Sequence, residues 1–68
     1  MNISARNQFK GKIVSIDKGA VNGVVKIDIG NGNIITSSIT NDSISSLGLE
    51  VGKEATAIIK ASSVMIGS

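Results

Sequence analysis

The sequence predicts an all-β domain, a small OB-like five-stranded barrel with one short helical turn. Ile, Val and Thr are abundant, and several segments alternate apolar and polar residues with the period of two that is typical of half-buried strands. No segment shows a long 3.6-residue apolar period, which would indicate an amphipathic helix. Short strands without long loops favour a barrel, because closure removes most exposed sheet edges.

The first two strands are predicted from their apolar residues. Lys10–Asp17 forms the first, with Val14 and Ile16 on the face opposite Ile13. Val24–Ile29 forms the second, and there the apolar residues alternate with one Lys and one Asp that point to solvent. We expect the first strand to be covered on both sides and the second on one.

A tight hairpin turn at Gly30–Gly32 connects the second strand to the third, because Gly and Asn tolerate the positive φ that such turns need. The third strand is expected at Asn33–Thr40, with Ile35 and Ile39 on the same face as Ser37. Hydroxyl side chains line much of this strand. They indicate either a polar site or ordinary exposed strand positions.

A single helical turn is predicted over Ser43–Leu47, capped by Asn41 or Asp42 and stopped by Gly48. Asp42 is expected to cap this turn or to face solvent, since an inward carboxylate would repel an anion.

The chain is predicted to close with a fourth strand at Ala55–Ala61. Ser62–Ile66 is the candidate for a short fifth strand. Together these elements account for a single domain over residues 1–68.

Size and composition predict that this domain associates with other chains. With 68 residues and a single aromatic side chain, Phe9, the core must be built from small aliphatic residues. The chain has no cysteine for disulfides and no histidine, so neither crosslinks nor a zinc site can stabilise so small a core. Association with copies of itself or with another chain is the remaining stabiliser.

The same composition argues against several classes of function. Without His and Cys, and with no nucleophile–base pair or cofactor motif, the chain is not expected to be an enzyme or to hold a metal or an organic cofactor. Nucleic-acid binding is disfavoured because a net charge of +2 is mild and a single aromatic residue offers almost no stacking platform.

A cytoplasmic location is expected from the absence of targeting signals. No stretch approaches the roughly 18 apolar residues of a membrane span, and MNISARNQFK lacks the apolar core of a signal peptide.

Hydrogen-bond donors are concentrated in three separate segments of the chain. A hydroxyl accompanies the one arginine in the first and a lysine in the last, and the middle segment holds two hydroxyls. If the segments converge, two cations and several neutral donors can bind a small dianion. Taken singly, each residue also has an ordinary explanation as a solvated Arg, a Lys extended to solvent or a capping Ser. The segments are Ser4–Asn7, Thr40–Ser43 and Lys60–Ser62.

The sequence resembles the molbindins, the small molybdate-binding proteins called Mop, whose domain also occurs as the TOBE module of molybdate-dependent regulators and transporter ATPases. The shared motifs span nearly the whole chain and keep their order and separation. They are SARN (4–7), KG (10–11), GAVN (19–22), ITNDS (39–43), LGLEVG (47–52) and IKAS (59–62).

This resemblance implies storage or buffering of molybdate or tungstate by a homohexamer, a trimer of dimers, with oxyanion sites between chains. The first strand would supply the side chains of Ser4 and Arg6, and the last strand those of Lys60 and Ser62. Thr40 and Ser43 would come from the hydroxyl segment of a neighbouring subunit. The backbone N–H groups of Ala5 and Ala61 would complete the shell.

A shell made only of donors suits molybdate. The molybdate dianion only accepts hydrogen bonds, whereas monohydrogen phosphate carries an O–H that needs an acceptor. The alternative function is an OB-like structural or interaction module without a small-molecule ligand, in which the same cations pair with carboxylates of neighbouring chains.

One position departs from the pattern of the resembling family. Gly23 follows GAVN where a larger residue is common, and we expect it to loosen the start of the second strand.

Overall fold

The computed structural model describes residues 4–68, which form four strands and one short helix. The all-β class with a short helical element is therefore confirmed. The elements are β1 (Asn7–Lys18), β2 (Asn22–Gly30), β3 (Asn33–Thr40), α1 (Asn41–Ser46) and β4 (Glu54–Ile59), followed by a 3-10 turn at Ala61–Ser63.

The four strands make one antiparallel sheet in the order β3-β2-β1-β4. The sheet curls into a half-barrel, and its two edge strands, β3 and β4, line the same cavity. Only four of the five expected strands are present in residues 4–68.

The segment expected to form the fifth strand is not in the sheet. The amide of Ser63 donates to the carbonyl of Lys60 at 2.9 Å, and that of Val64 donates to Ala61 at 3.2 Å. These local bonds close a 3-10 turn directly after Ile59. They end β4 two residues before the predicted Ala61 and leave residues 64–68 outside any strand.

β1 contains a bulge that the alternation of its sequence does not reveal. Ile13 pairs with Ile27, but Ser15 pairs with Lys26 and the register shifts between them. The extra residue brings Ile13 and Ile16 to the same inner face and leaves Val14 exposed. The prediction that Val14 and Ile16 share a face is therefore wrong.

The hairpin between β2 and β3 is confirmed. Gly30, Asn31 and Gly32 all have positive φ, at 102°, 55° and 77°. The carboxylate of Asp28 accepts the amide of Gly30 at 2.8 Å and holds the turn.

The helix begins two residues earlier than predicted because Thr40 is its N-cap. The Thr40 hydroxyl accepts the amide of Ser43 at 3.1 Å, so neither Asn41 nor Asp42 performs the expected capping. Asp42 faces solvent, which was the other outcome expected for it. The predicted stop at Gly48 is confirmed by its positive φ of 65°.

The core lies between the inner face of the sheet and α1. It contains five buried side chains, Ile13, Val25, Ile27, Ile44 and Ala57. Val25 and Ile27 lie on the inner face that the alternation predicts for β2, opposite Ser37 and Ile35 of β3.

Gly23 does not loosen β2 as we expected. It is buried and pairs with Lys18 on one side and Ile39 on the other. A Cβ at this position would lie 2.5 Å from Cδ1 of Ile44. Glycine therefore lets α1 pack closely onto the sheet.

Among residues 4–68 there is no helix with the length and apolarity needed to cross a bilayer.

Candidate functional site

The two terminal donor segments are brought together by the pairing of β1 with β4. Asn7, the first residue of β1, pairs with Ile59, the last residue of β4, and its side-chain amide donates to the Ile59 carbonyl at 3.2 Å. The strands are antiparallel, so Arg6 lies just before this pair and Lys60 just after it. One end of the sheet thus carries both cations, on neighbouring segments of the chain.

Neither terminal segment is part of a strand, although the family resemblance implies that the first and last strands supply these donors. Ser4–Arg6 precede β1, and Lys60–Ser62 follow β4, where the 3-10 turn begins. Except for the half-buried Ala5, these residues are exposed. The side chains of the exposed residues are therefore accessible to a ligand or a neighbouring chain.

The hydroxyl segment is organised by the cap of α1. The Thr40 hydroxyl accepts the Ser43 amide and donates to the Ser43 hydroxyl oxygen at 2.8 Å. Two hydroxyls joined by one hydrogen bond retain one O–H between them, which can donate to a ligand. The capping bond from the Ser43 amide holds both hydroxyls in place.

Asn41 anchors the hydroxyl segment, a role that the sequence analysis did not assign to it. Its backbone amide donates to the carbonyl of Val21 at 2.7 Å, and its side-chain amide donates to the carbonyl of Gly19 at 2.9 Å. Its side-chain oxygen is buried without a hydrogen-bond partner among the described residues, beside Gly23. The first residue of α1 is thereby tied to the β1–β2 connection.

The hydroxyl segment lies at the opposite end of β1 from the two cations. Lys18 at the end of β1 pairs with Gly23 of β2. Asn22, which precedes Gly23 in β2, pairs with Thr40 of the hydroxyl segment. Asn7 marks the other end of the same 12-residue strand. At about 3.4 Å per residue a straight strand of this length spans about 37 Å, and the bulged β1 is shorter than this because the longest extent of the molecule is 34 Å. A single chain does not bring the three segments together.

The two candidate cations, Arg6 and Lys60, have no carboxylate partner among the described residues. The ion pair found in residues 4–68 joins Lys53 to Glu50 at 2.8 Å, in the turn before β4. The hydrogen bond and charge of Lys53 lower the pKa of Glu50 from its ordinary value. Arg6 and Lys60 take part in no ion pair within this range, so their charges are available to an anion.

Comparison with known proteins identifies the family. Residues 3–66 match the TOBE domain model. A protein of Haemophilus influenzae named "Probable molybdenum-pterin-binding protein" is 61% identical over 67 residues, covering 98% of this chain and 97% of that protein. The chain belongs to the molbindin (Mop) family.

Solved structures of the family have the same fold as this molbindin. MopII from Clostridium pasteurianum superimposes with a TM-score of 0.92 at 49% identity, covering 98% of this chain and 100% of that one. The cytoplasmic molybdate-binding protein ModG, with molybdate bound, superimposes with a TM-score of 0.91 at 42% identity. That match covers 96% of this molbindin and 46% of ModG.

Proposed function

We propose that this molbindin binds molybdate or tungstate at sites formed between chains of a homo-oligomer. The observation that carries the proposal is the placement of the three donor segments. Both cations lie at one end of the sheet, and the hydroxyl segment lies at the other. Only a second chain can bring Thr40 and Ser43 to Arg6 and Lys60.

The chemistry of the donors supports a dianion as the ligand. Arg6 and Lys60 supply two positive charges without an ion-pair partner in residues 4–68. Ser4, Ser43 and Ser62 add hydroxyls that can donate, and Ala5 and Ala61 add backbone amides. Hydrogen bonds from charged donors contribute about 1.5 to 3 kcal/mol each, so a few of them suffice for tight binding of an acceptor-only oxyanion.

The named relatives support molybdate as that dianion, since ModG is a molybdate-binding protein. We further propose that the assembly is a hexamer, a trimer of dimers, and that it stores or buffers the oxyanion in the cytoplasm. The relatives are named as binding proteins, which is consistent with a carrier that has no catalytic step.

Titration calorimetry tests the site. We expect molybdate and tungstate to release heat with the parent protein, and Arg6→Ala and Lys60→Ala each to lower the affinity by about tenfold or more, since each removes a charge-assisted hydrogen bond. Arg6→Lys keeps the charge but loses the planar fork, so its effect should be smaller than that of Arg6→Ala.

Lys26→Ala is the matched control, because Lys26 is an exposed lysine in the middle of β2. It should bind the oxyanions as the parent does, and the assembly should persist in all four variants. Unchanged affinity in both Arg6→Ala and Lys60→Ala would remove these residues from the site. An intact oligomer that gives no heat with either oxyanion would favour an interaction module without a ligand.

A further inference from the structure

The dipeptide Asn-Gly occurs twice in the sequence, at Asn22–Gly23 and at Asn31–Gly32. In water this dipeptide can react with itself, because the backbone nitrogen of the glycine can attack the side-chain amide of the asparagine. Glycine favours the attack, since it has no side chain to hinder the approach of its nitrogen. The two dipeptides have the same chemistry, so a difference between them in the folded protein comes from their surroundings.

The attack requires the peptide group between the two residues to rotate. The attacking nitrogen is bonded to the main chain of the asparagine, and it reaches the side-chain Cγ only after rotation about ψ of that asparagine. A peptide group that is hydrogen-bonded in a sheet loses its partners when it rotates, and a peptide group in a loop loses few or none. The reaction therefore depends on how firmly each dipeptide is held.

The first dipeptide, Asn22–Gly23, is held by both neighbouring strands. The carbonyl of Asn22 accepts the amide of Gly19 at 2.7 Å. Gly23 pairs with Lys18 of β1 and with Ile39 of β3, and it is buried beneath α1. Rotation of this peptide group requires the sheet to open between β1 and β3, and paired strands open far more rarely than loops.

The second dipeptide, Asn31–Gly32, forms the tip of the β2–β3 hairpin. Both residues are exposed and lie between the two strands. Their φ values of 55° and 77° are typical of the primed turns that join two-residue hairpins. The nearest ladder pair joins Gly30 to Asn33, so rotation at the tip disturbs at most this pair. Among the described residues no atom lies within 4 Å of the position of a Cβ at Gly32, which leaves the tip free to move.

We propose that Asn31 is a site of spontaneous deamidation in this protein, and that the fold protects Asn22 from the same reaction. The Gly32 amide loses its proton to hydroxide, its nitrogen bonds to Cγ of Asn31, and the side-chain nitrogen takes up protons from water and leaves as ammonia. One water molecule then opens the cyclic imide. Opening at the side-chain carbonyl gives aspartate, and opening at the main-chain carbonyl gives isoaspartate.

The two products have different effects on the hairpin. Either product replaces a neutral amide by a carboxylate and so lowers the formal net charge of +2 by one unit. Aspartate keeps the turn, because Asp tolerates positive φ as Asn does. Isoaspartate adds a methylene group to the main chain and no longer fits a two-residue turn. The β2–β3 hairpin of a molecule that carries isoaspartate is therefore weaker than that of a newly made one.

Peptide mapping of the folded protein after incubation at mildly alkaline pH tests the proposal. Cleavage after lysine releases residues 19–26, which contain Asn22, and residues 27–53, which contain Asn31. Mass spectrometry then measures how much of each peptide has exchanged an amide for a carboxylate, with protein digested before incubation as the baseline. Peptide 27–53 should convert about tenfold faster than peptide 19–26 or more, since a hairpin tip opens at lower free energy than a paired strand. Equal conversion of the two peptides, or conversion of neither, would overturn the inference.

The unfolded chain is the control for local sequence. In concentrated guanidinium chloride neither dipeptide keeps its surroundings, so both peptides should convert at comparable rates. If peptide 19–26 is as slow there as in the folded protein, its neighbours in sequence and not the sheet protect Asn22, and the inference is wrong.

Asn31→Gly assigns the conversion to one residue, because peptide 27–53 also contains Asn33 and Asn41. Glycine tolerates the positive φ of this position and has no side-chain amide. Peptide 27–53 of this variant should stay unconverted, whereas the control Asn33→Gln should convert as the parent does. Conversion of Asn31→Gly at the parent rate would place the reaction at another asparagine and refute the proposal. None of these outcomes depends on oxyanion binding, so they leave the proposed function to its own test.

Discussion

Gly23 shows how a single residue sets the distance between α1 and the sheet. It lies in β2 directly beneath Ile44, the buried residue of the helix. A Cβ there would be 2.5 Å from Ile44 Cδ1 and 3.1 Å from the side-chain oxygen of Asn41.

Gly23→Ala is expected to lower the free energy of unfolding by about 1 to 3 kcal/mol, the usual cost of overpacking a core. Urea unfolding followed by circular dichroism measures the change. Gly67→Ala is the matched control, because a Cβ at Gly67 meets nothing within 4 Å and its φ is not positive. Equal stability of the two variants would show that α1 can move away from the sheet at little cost.

The Glu50–Lys53 pair predicts a small dependence of stability on pH. The pKa of Glu50 is lower in the folded protein than its ordinary value of 4.5. The pair therefore contributes stability above that value and loses it as the pH falls through the folded pKa. Both side chains are exposed, so the contribution is small and screened by salt.

Glu50→Gln should unfold at a slightly lower urea concentration than the parent at neutral pH. The two midpoints should converge at acid pH, and also at neutral pH in 1 M salt, where the screening length is about 3 Å. A difference that grew on acidification would contradict the lowered pKa.

At the scale of elements, Thr40 decides where α1 begins. Its backbone is still extended, with φ −68° and ψ 150°, and its hydroxyl accepts the amide three residues later. Ser, Thr, Asn and Asp are all effective caps, so the segment from Thr40 to Ser43 contains four candidates and local sequence does not rank them. The end of β3 decides among them, because its last residue, Thr40, already has the extended backbone that an N-cap requires.

Thr40→Ala should lower the free energy of unfolding by about 1 kcal/mol through loss of the cap, and Thr40→Ser should retain most of it. Thermal unfolding without oxyanion measures both. Asp42→Asn is the control, since Asp42 is exposed and does not cap the helix. A larger loss from Asp42→Asn than from Thr40→Ala would show that the cap is assigned to the wrong residue.

The strands were the most predictable elements, and the bulge in β1 was the least. Alternation in β2 and β3 identifies their inner faces, because a half-buried strand repeats every two residues. The bulge at Val14 adds one residue to that repeat. It is supported by distant partners, since Ile13 donates its amide to the carbonyl of Lys53 and accepts the amide of Gly52. The alternation of residues within β1 cannot predict hydrogen bonds to a turn that lies 40 positions further along the chain.

At the scale of the whole molecule, the candidate site is divided between the two ends of the sheet. The sequence shows that the three segments are rich in hydrogen-bond donors, and the resemblance to molbindins assigns them to one site. Their positions relative to each other follow from strand pairing alone, which sets Arg6 beside Lys60 and places Ser43 at the far end of β1.

Complementation between variants tests whether one site takes residues from two chains. Arg6→Ala and Ser43→Ala chains should each bind molybdate weakly by themselves. When they are refolded together and mix at random, about a quarter of the interfaces should combine an intact Arg6 with an intact Ser43 from different chains.

Calorimetry should then recover tight sites in roughly that proportion. No recovery is expected if both residues act within one chain, because every chain of the mixture lacks one of them. A mixture of Arg6→Ala and Lys60→Ala chains provides a comparison for two residues that lie side by side in one chain.

The sequence by itself determined the fold class, the turn at Gly30–Gly32, the inner faces of β2 and β3, the donor chemistry and the family. These properties depend on residue type and short spacing, which a linear sequence displays directly. Tertiary structure decided the bulge, the cap at Thr40, the need for glycine at position 23 and the exposure of residues 64–66. Each of these depends on which backbone groups and surfaces distant segments leave unpaired, and that is known only once the chain has folded.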